Sequence, residues 1–242
     1  MTTHHAKSVY TKLVAAIPHG VPNAAYWQWQ VDPAARAWRD RWTDWFTDEL
    51  FGLELSDVTV VKSRLARLDC DVERLEDESD RLANFVRIAD DEGLRKSVEG
   101  NAARRNGFLA EWYRYRAEVL AAAADGATLI VDCHSFPSDL APDVDICIGF
   151  NEDASRPDEE TLGLVARIFR DAGYSVAFNR PYANALAPAG YVGHSLMIEV
   201  NKRTYMDERT LGKSDGFERL QRTVQQVYEE LLHQKGPTPT VE

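Results

Sequence analysis

The sequence predicts an α/β fold, with helices covering a mostly parallel or mixed sheet, and three observations carry that reading. Short apolar runs recur along the chain as buried-strand signals: LVAAIP at residues 13–18, TLIVDC at 128–133 and SLMIEVN at 195–201. Between them lie segments with helix start and stop signals. Strands that alternate with helices in this way form an α/β domain.

Each element follows in order. LVAAIP is a strand stopped by Pro18. Asp32 and Pro33 read as an N-cap with proline at the first helical position. The helix they open carries Trp38, Trp42, Trp45 and Phe46 on one stripe and ends near Gly52. VTVVKS, residues 58–63, is the second strand. Residues 69–91 are heavily charged with no clean period and read as loop. A long helix is expected over 102–124, then the strands TLIVDC and DICIGF (145–150). Residues 157–173 form a helix opened by Pro-Asp-Glu-Glu and closed by Gly173. YSVAFN (174–179) and SLMIEVN are further strands, and 216–233 is a closing helix. The tail over 235–242 is expected to be disordered. With no internal repeat, the 242 residues read as one domain.

Charge and composition narrow the function. A net charge of −11 argues against a general nucleic-acid or anionic-membrane binder, since both need a positive field. It leaves room for an anionic small substrate, which needs only local arginines. No apolar run is long enough to span a bilayer, and the N-terminus lacks the order of a secretory signal, so a cytoplasmic location is expected. Cys70, Cys133 and Cys147 have no metal-type spacing, and two of them, in apolar strand-like contexts, read as reduced core residues. There is no GxSxG, Walker A or GxGxxG motif, which removes serine-elbow and nucleotide chemistry.

In α/β folds chemistry sits just beyond strand ends, and that rule selects residues. Of six histidines, His4 and His5 lie near the N-terminus and His233 near the tail. His19 and His134 follow strands, whereas His194 starts one. Asp132 lies two residues before His134, so strand alternation puts both on one side, where the aspartate can fix the tautomer of a ligating imidazole. Glu199 sits in an apolar strand, where a carboxylate is either ion-paired or a general base. Asp44 and Asp48 are four apart and share a face of the tryptophan helix. His19, His134 and one acid would give a catalytic zinc its three protein ligands, with Glu199 as proton acceptor. Arg64 and Arg74 are candidates to hold a substrate carboxylate, or else partners of Asp69, Asp71 and Glu73.

Ordered blocks carry a resemblance. IPHG at 17–20, TDWFTDELF at 43–51, SRL at 63–65 with CDVER at 70–74, VDCHSF at 131–136, DICIGF, NRPYANALAP at 179–188 and SLMIEVNKRTYM at 195–206 resemble, in order, the blocks of the N-formylglutamate amidohydrolase family. That family is related to the zinc carboxypeptidases and to the succinylglutamate desuccinylase and aspartoacylase group. The resemblance implies a three-layer, zinc-carboxypeptidase-like fold and a Zn²⁺-dependent amidohydrolase acting on a small anionic N-acyl amino acid. N-formyl-L-glutamate is the leading substrate, another N-acyl amino acid the alternative, and another divalent ion could replace zinc. A metal-free binding protein for acidic metabolites is the rival from another class. By the family's order, His19 and His134 bind metal, Arg64 and Arg74 hold the substrate carboxylate, and Glu199 is the base. Asn179, Tyr182 and Tyr191 would line the pocket. Carboxypeptidases carry their acidic ligand three residues after the first histidine, where this chain has Pro22. The role passes to Asp44, with Asp48 and Glu73 as substitutes. The chain departs from the family pattern also at the inserted residues 66–69, at WYRYR (112–116) and at RIADDEGLRK (87–96).

Overall fold

The apolar runs form β1 (Lys12–Ile17), β2 (Val58–Lys62), β3 (Thr128–Phe136), β4 (Ile146–Gly149), β5 (Val176–Phe178) and β6 (His194–Asn201) in the protein's computed structural model. The structure describes residues 10–20, 37, 40–67, 71–73, 102–125 and 127–233. The expected cap at Asp32 and Pro33, Trp38, Cys70, Arg74, most of the charged 69–91 segment and the C-terminal tail lie outside the described residues. The six strands make one sheet in the order β2-β1-β3-β6-β4-β5. β2, β1, β3 and β6 run parallel; β4 pairs antiparallel with β6 and parallel with β5. The sheet is therefore mixed and mostly parallel, as the alternation of elements predicts.

Side-chain alternation divides the core into two layers around the sheet. Leu13, Ala15 and Ile17 of β1 and Leu129, Val131 and Cys133 of β3 face α3 (Glu159–Asp171) and α4 (Gly216–Leu232). Val14, Ala16 and Ile130 face the opposite way and meet Trp112, Tyr115 and Val119 of α2 (Ala102–Ala122). All nine residues of β3 are buried, which suits a central strand covered on both faces. α3 begins where Asp158 accepts a hydrogen bond from Thr161 N at 2.7 Å, with Glu159 and Glu160 in its first turn. Gly173, at φ 88°, closes it in the left-handed conformation. α4 buries Phe217, Leu220, Val224, Val227, Tyr228 and Leu231, one helical stripe. A small hairpin, β7 (Met206–Asp207) with β8 (Gly212–Lys213), follows the sheet. No described helix is long and apolar enough to cross a membrane.

One expected element is different. The tryptophan helix does not run to Gly52: residues 40–42 are helical, Thr43 and Asp44 leave the helix, and α1 (Thr47–Leu50) starts afresh. Phe46, between them, has φ 62°. The amide and hydroxyl of Thr47 both donate to the Asp44 carbonyl, at 3.3 and 2.8 Å, closing a local turn in place of the helical ladder. Asp44 and Asp48 consequently share no helix face. Asp44 is buried, whereas Asp48 is partly exposed, 3.9 Å from Lys62.

Candidate active site

β1 is flanked by β2 and β3, so the chain path switches sides at β1, and the C-terminal ends of β1 and β3 border the crevice that such a switch creates. His19 stands two residues past β1, and Gly20 lets this loop lie close on α1: a Cβ there would come within 3.2 Å of Asp48 N. His134 lies within β3 rather than beyond it, because the strand runs on to Phe136. Glu199 of β6 is its register partner, so the two side chains stand next to each other on one face of the sheet.

The two imidazoles, with ring centroids 5.2 Å apart, converge on Asp44. His19 Nδ1 is 3.6 Å and His134 Nδ1 3.3 Å from Asp44 Oδ2. Their far edges face other carboxylates. His19 Nε2 lies 2.9 Å from Asp71 Oδ1 and 3.6 Å from Glu73 Oε2. His134 Nε2 lies 2.9 Å from Glu73 Oε1 and 3.1 Å from Asp132 Oδ1. Asp132 is itself held by the Leu186 amide, at 2.8 Å. Carboxylates only accept, so both Nε2 atoms carry the proton, and a neutral ring then points its Nδ1 lone pair at Asp44. Two lone pairs and a carboxylate facing one another need a cation between them, either protons or a metal ion. His19 Nδ1 and Asp44 Oδ1 are both buried without a hydrogen-bond partner. The donor set of two imidazole nitrogens and one carboxylate, whose ligand atoms lie within 4.8 Å of one another, fits zinc. Two overlapping sets, His19 with Asp71 and Glu73 and Glu73 with Asp132 and His134, use the Nε2 side that the carboxylates already occupy.

The charges follow from these contacts. Burial opposes charging of His134, but Glu73 and Asp132 outweigh it and hold its pKa well above the ordinary imidazole value. For His19, burial and Arg67 oppose and Asp71, Glu73 and Asp44 prevail, so its pKa is also raised. Burial opposes charging of Asp44, but the nearby imidazoles of His134 and His19 outweigh it and hold Asp44 far below the usual carboxylate range. Glu199 behaves oppositely: burial, reinforced by Asp44 and Glu73 against His134 and Arg67, pushes it up to about 8. Its Oε2 has no hydrogen-bond partner.

These shifts set a pH dependence for the metal-free chain. The raised histidines bind protons that the unfolded chain releases near pH 6.5, and Glu199 holds its proton up to about 8. Folded protein therefore binds more protons than unfolded across pH 6.5 to 8, and stability falls as pH rises through that window. Urea unfolding of chelator-treated protein is expected to show a lower midpoint at pH 8 than at pH 6.5. A midpoint that stays level or rises would contradict the charge assignment.

A cavity of about 750 Å³ opens beside this cluster, lined by Arg67, Glu73, Arg116, His134, Tyr182 and Glu199 among others. Of the pocket residues expected from sequence, Tyr182 lines this cavity. Arg74 lies outside the described residues, and Arg64, Asn179 and Tyr191 are not among the residues that line the cavity. Arg64 points to solvent beside Glu118 at 3.5 Å. Asn179 accepts from the Phe150 amide, and the Tyr191 hydroxyl donates to the carbonyls of Thr128 and His194. Glu73 is beside both histidines, on their Nε2 side, whereas Asp44 meets their Nδ1 atoms. Arg67 escaped the sequence reading: it falls in the inserted residues 66–69, yet lines the cavity with its Nε 3.6 Å from Asp71 Oδ2. Asp71, four residues on, was the only local signal. Arg116 comes from WYRYR; it stacks on Trp112 and donates to the carbonyls of Val72 and Glu73.

Comparisons with known proteins bear on the family and the fold. A profile of the N-formylglutamate amidohydrolase family matches residues 11–206. Among solved structures, the crystal structure of an N-formylglutamate amidohydrolase from Ralstonia eutropha has a TM-score of 0.66 at 18% identity, covering 94% of this chain and 94% of that one. A gene product of Agrobacterium tumefaciens gives a TM-score of 0.51 at 17% identity, covering 93% and 92%. At these identities the likeness is one of fold. A search of curated protein sequences gives no match.

Proposed function

Because the chain belongs to the N-formylglutamate amidohydrolase family, we propose that it is a zinc-dependent amidohydrolase that converts N-formyl-L-glutamate to formate and L-glutamate. One observation above all supports this: two imidazole Nδ1 atoms and Asp44 Oδ2 converge while Glu199 stands next to His134. His19, Asp44 and His134 would hold the ion, leaving an open position as catalytic zinc sites do. When bound, zinc supplies Lewis acidity at the acyl carbonyl and lowers the pKa of water.

The rest is done by the chain. Asp71, Glu73 and Asp132 keep the Nε2 protons of the two histidines in place and so keep Nδ1 available. Glu199 is the proton carrier: ionised, it takes the proton from the attacking water and returns it to the departing amine. A bound cation nearby favours its charged form, against the burial that raises it in the metal-free chain. Arg67 holds a substrate carboxylate, and Tyr182 lines the same cavity.

A substrate panel tests the reading. Formate release from N-formyl-L-glutamate is expected to exceed acetate or succinate release from the N-acetyl and N-succinyl analogues. Faster release from an analogue would move the substrate assignment. Binding of these acids with no release, in zinc-loaded protein, would favour the metabolite-binding alternative. Arg67→Met is expected to raise KM for N-formyl-L-glutamate about 10- to 100-fold, the loss of a charge-assisted hydrogen bond of about 1.5–3 kcal/mol. An unchanged KM would remove Arg67 from substrate binding.

A further inference from the structure

Asp44 reaches the histidines from a segment that has left its helix, so something other than helical hydrogen bonding must fix it. Two buried side chains just past β6 bracket that segment. Lys202 Nζ donates to the carbonyl of Arg41, and the Tyr205 hydroxyl donates to the carbonyl of Trp45 at 2.9 Å. Both residues are buried, Lys202 at 1% and Tyr205 at 0% exposure. Burying a lysine ammonium is costly unless it gains a partner, and this one is spent on a backbone carbonyl three residues before Asp44. The same short stretch carries Glu199 three residues before Lys202.

We propose that Lys202 and Tyr205 act as a clamp, positioning Asp44 for the metal and holding it in register with Glu199. These hydrogen bonds run to the backbone on either side of Asp44, and the Lys202 charge is also felt by Asp44 through space. The inference rests on the reading of Asp44 as a zinc ligand, but the clamp itself is testable without it.

The test compares full-length Lys202→Met, Lys202→Arg and Tyr205→Phe with Tyr228→Phe. Tyr228 also buries a hydroxyl, 3.3 Å from the Phe51 carbonyl and 3.6 Å from Cys133 Sγ, but it bonds neither of the carbonyls that flank Asp44. Zn²⁺ affinity is read by competition with a chromophoric chelator, and amide hydrogen exchange at Trp45 and Thr47 is read in metal-free protein. Lys202→Met and Tyr205→Phe are each expected to weaken Zn²⁺ binding about 10- to 100-fold, the usual effect of an outer hydrogen-bond partner. Both should speed exchange at Trp45 and Thr47. Lys202→Arg should recover part of each effect, and Tyr228→Phe should show neither. Equal effects in Tyr228→Phe, or unchanged exchange in both clamp variants, would overturn the proposal. Should the unaltered protein bind no Zn²⁺, the metal reading fails, and the exchange measurement alone decides the clamp.

Discussion

Glu199→Gln is expected to lower kcat for formate release about 100- to 10,000-fold, the contribution typical of a positioned general base. Zinc content and KM should stay near those of the unaltered protein. The amide keeps the size of the side chain, and Glu199 is not among the three atoms that converge at the histidines. What it loses is the ability to accept a proton. The site supports this assignment on two counts: Oε2 is buried with no partner, and Glu199 is the register neighbour of His134. A variant that kept its activity would show that another group moves the proton.

The second large effect concerns the metal. His134→Ala is expected to weaken Zn²⁺ binding more than about 100-fold, beyond the 10- to 100-fold that loss of an outer partner brings. Asp132→Asn should fall inside that smaller range, because Asp132 meets only the Nε2 edge of His134. His134→Ala also leaves the buried Asp44 and Asp132, and the partly buried Glu73, beside one fewer positive group, a change that costs about 3–5 kcal/mol where a buried pair is broken. His134→Gln, which keeps bulk and polarity, separates the two effects. If it folds as the unaltered protein does and binds Zn²⁺ equally well, His134 is no ligand. Equal losses in the Asp132 and His134 variants would mean that the ion sits on the Nε2 side.

Much of this site was legible in the sequence because strands are. An apolar run ending in a histidine fixes which end of the sheet the histidine occupies, and period-two alternation put Asp132 on the side of His134, as the 3.1 Å contact shows. The third acid was harder. Asp44 and Asp48 look equivalent by helical spacing, and only the break at Thr43 and Asp44 separates them. That break is matched by tertiary contacts: His19 from the loop after β1 and His134 of β3 on one side, and Lys202 and Tyr205 on the other. Such contacts leave no local signature. The arginine that lines the cavity was hard to read for a related reason. Arg64 and Arg67 sit three apart in a loop with no period, so nothing in the spacing says that Arg67 faces the cavity while Arg64 faces Glu118.

In the proposed function, amide hydrolysis depends on a metal held by His19, Asp44 and His134. Titration of Zn²⁺ into chelator-treated protein, with formate release from N-formyl-L-glutamate followed at each step, tests that claim most directly. The expected trace starts near zero, rises in proportion to added Zn²⁺ and levels off at about one ion per chain, as a single three-ligand catalytic site requires. Full formate release before any metal is added, or none at any Zn²⁺ level from folded protein, would contradict it.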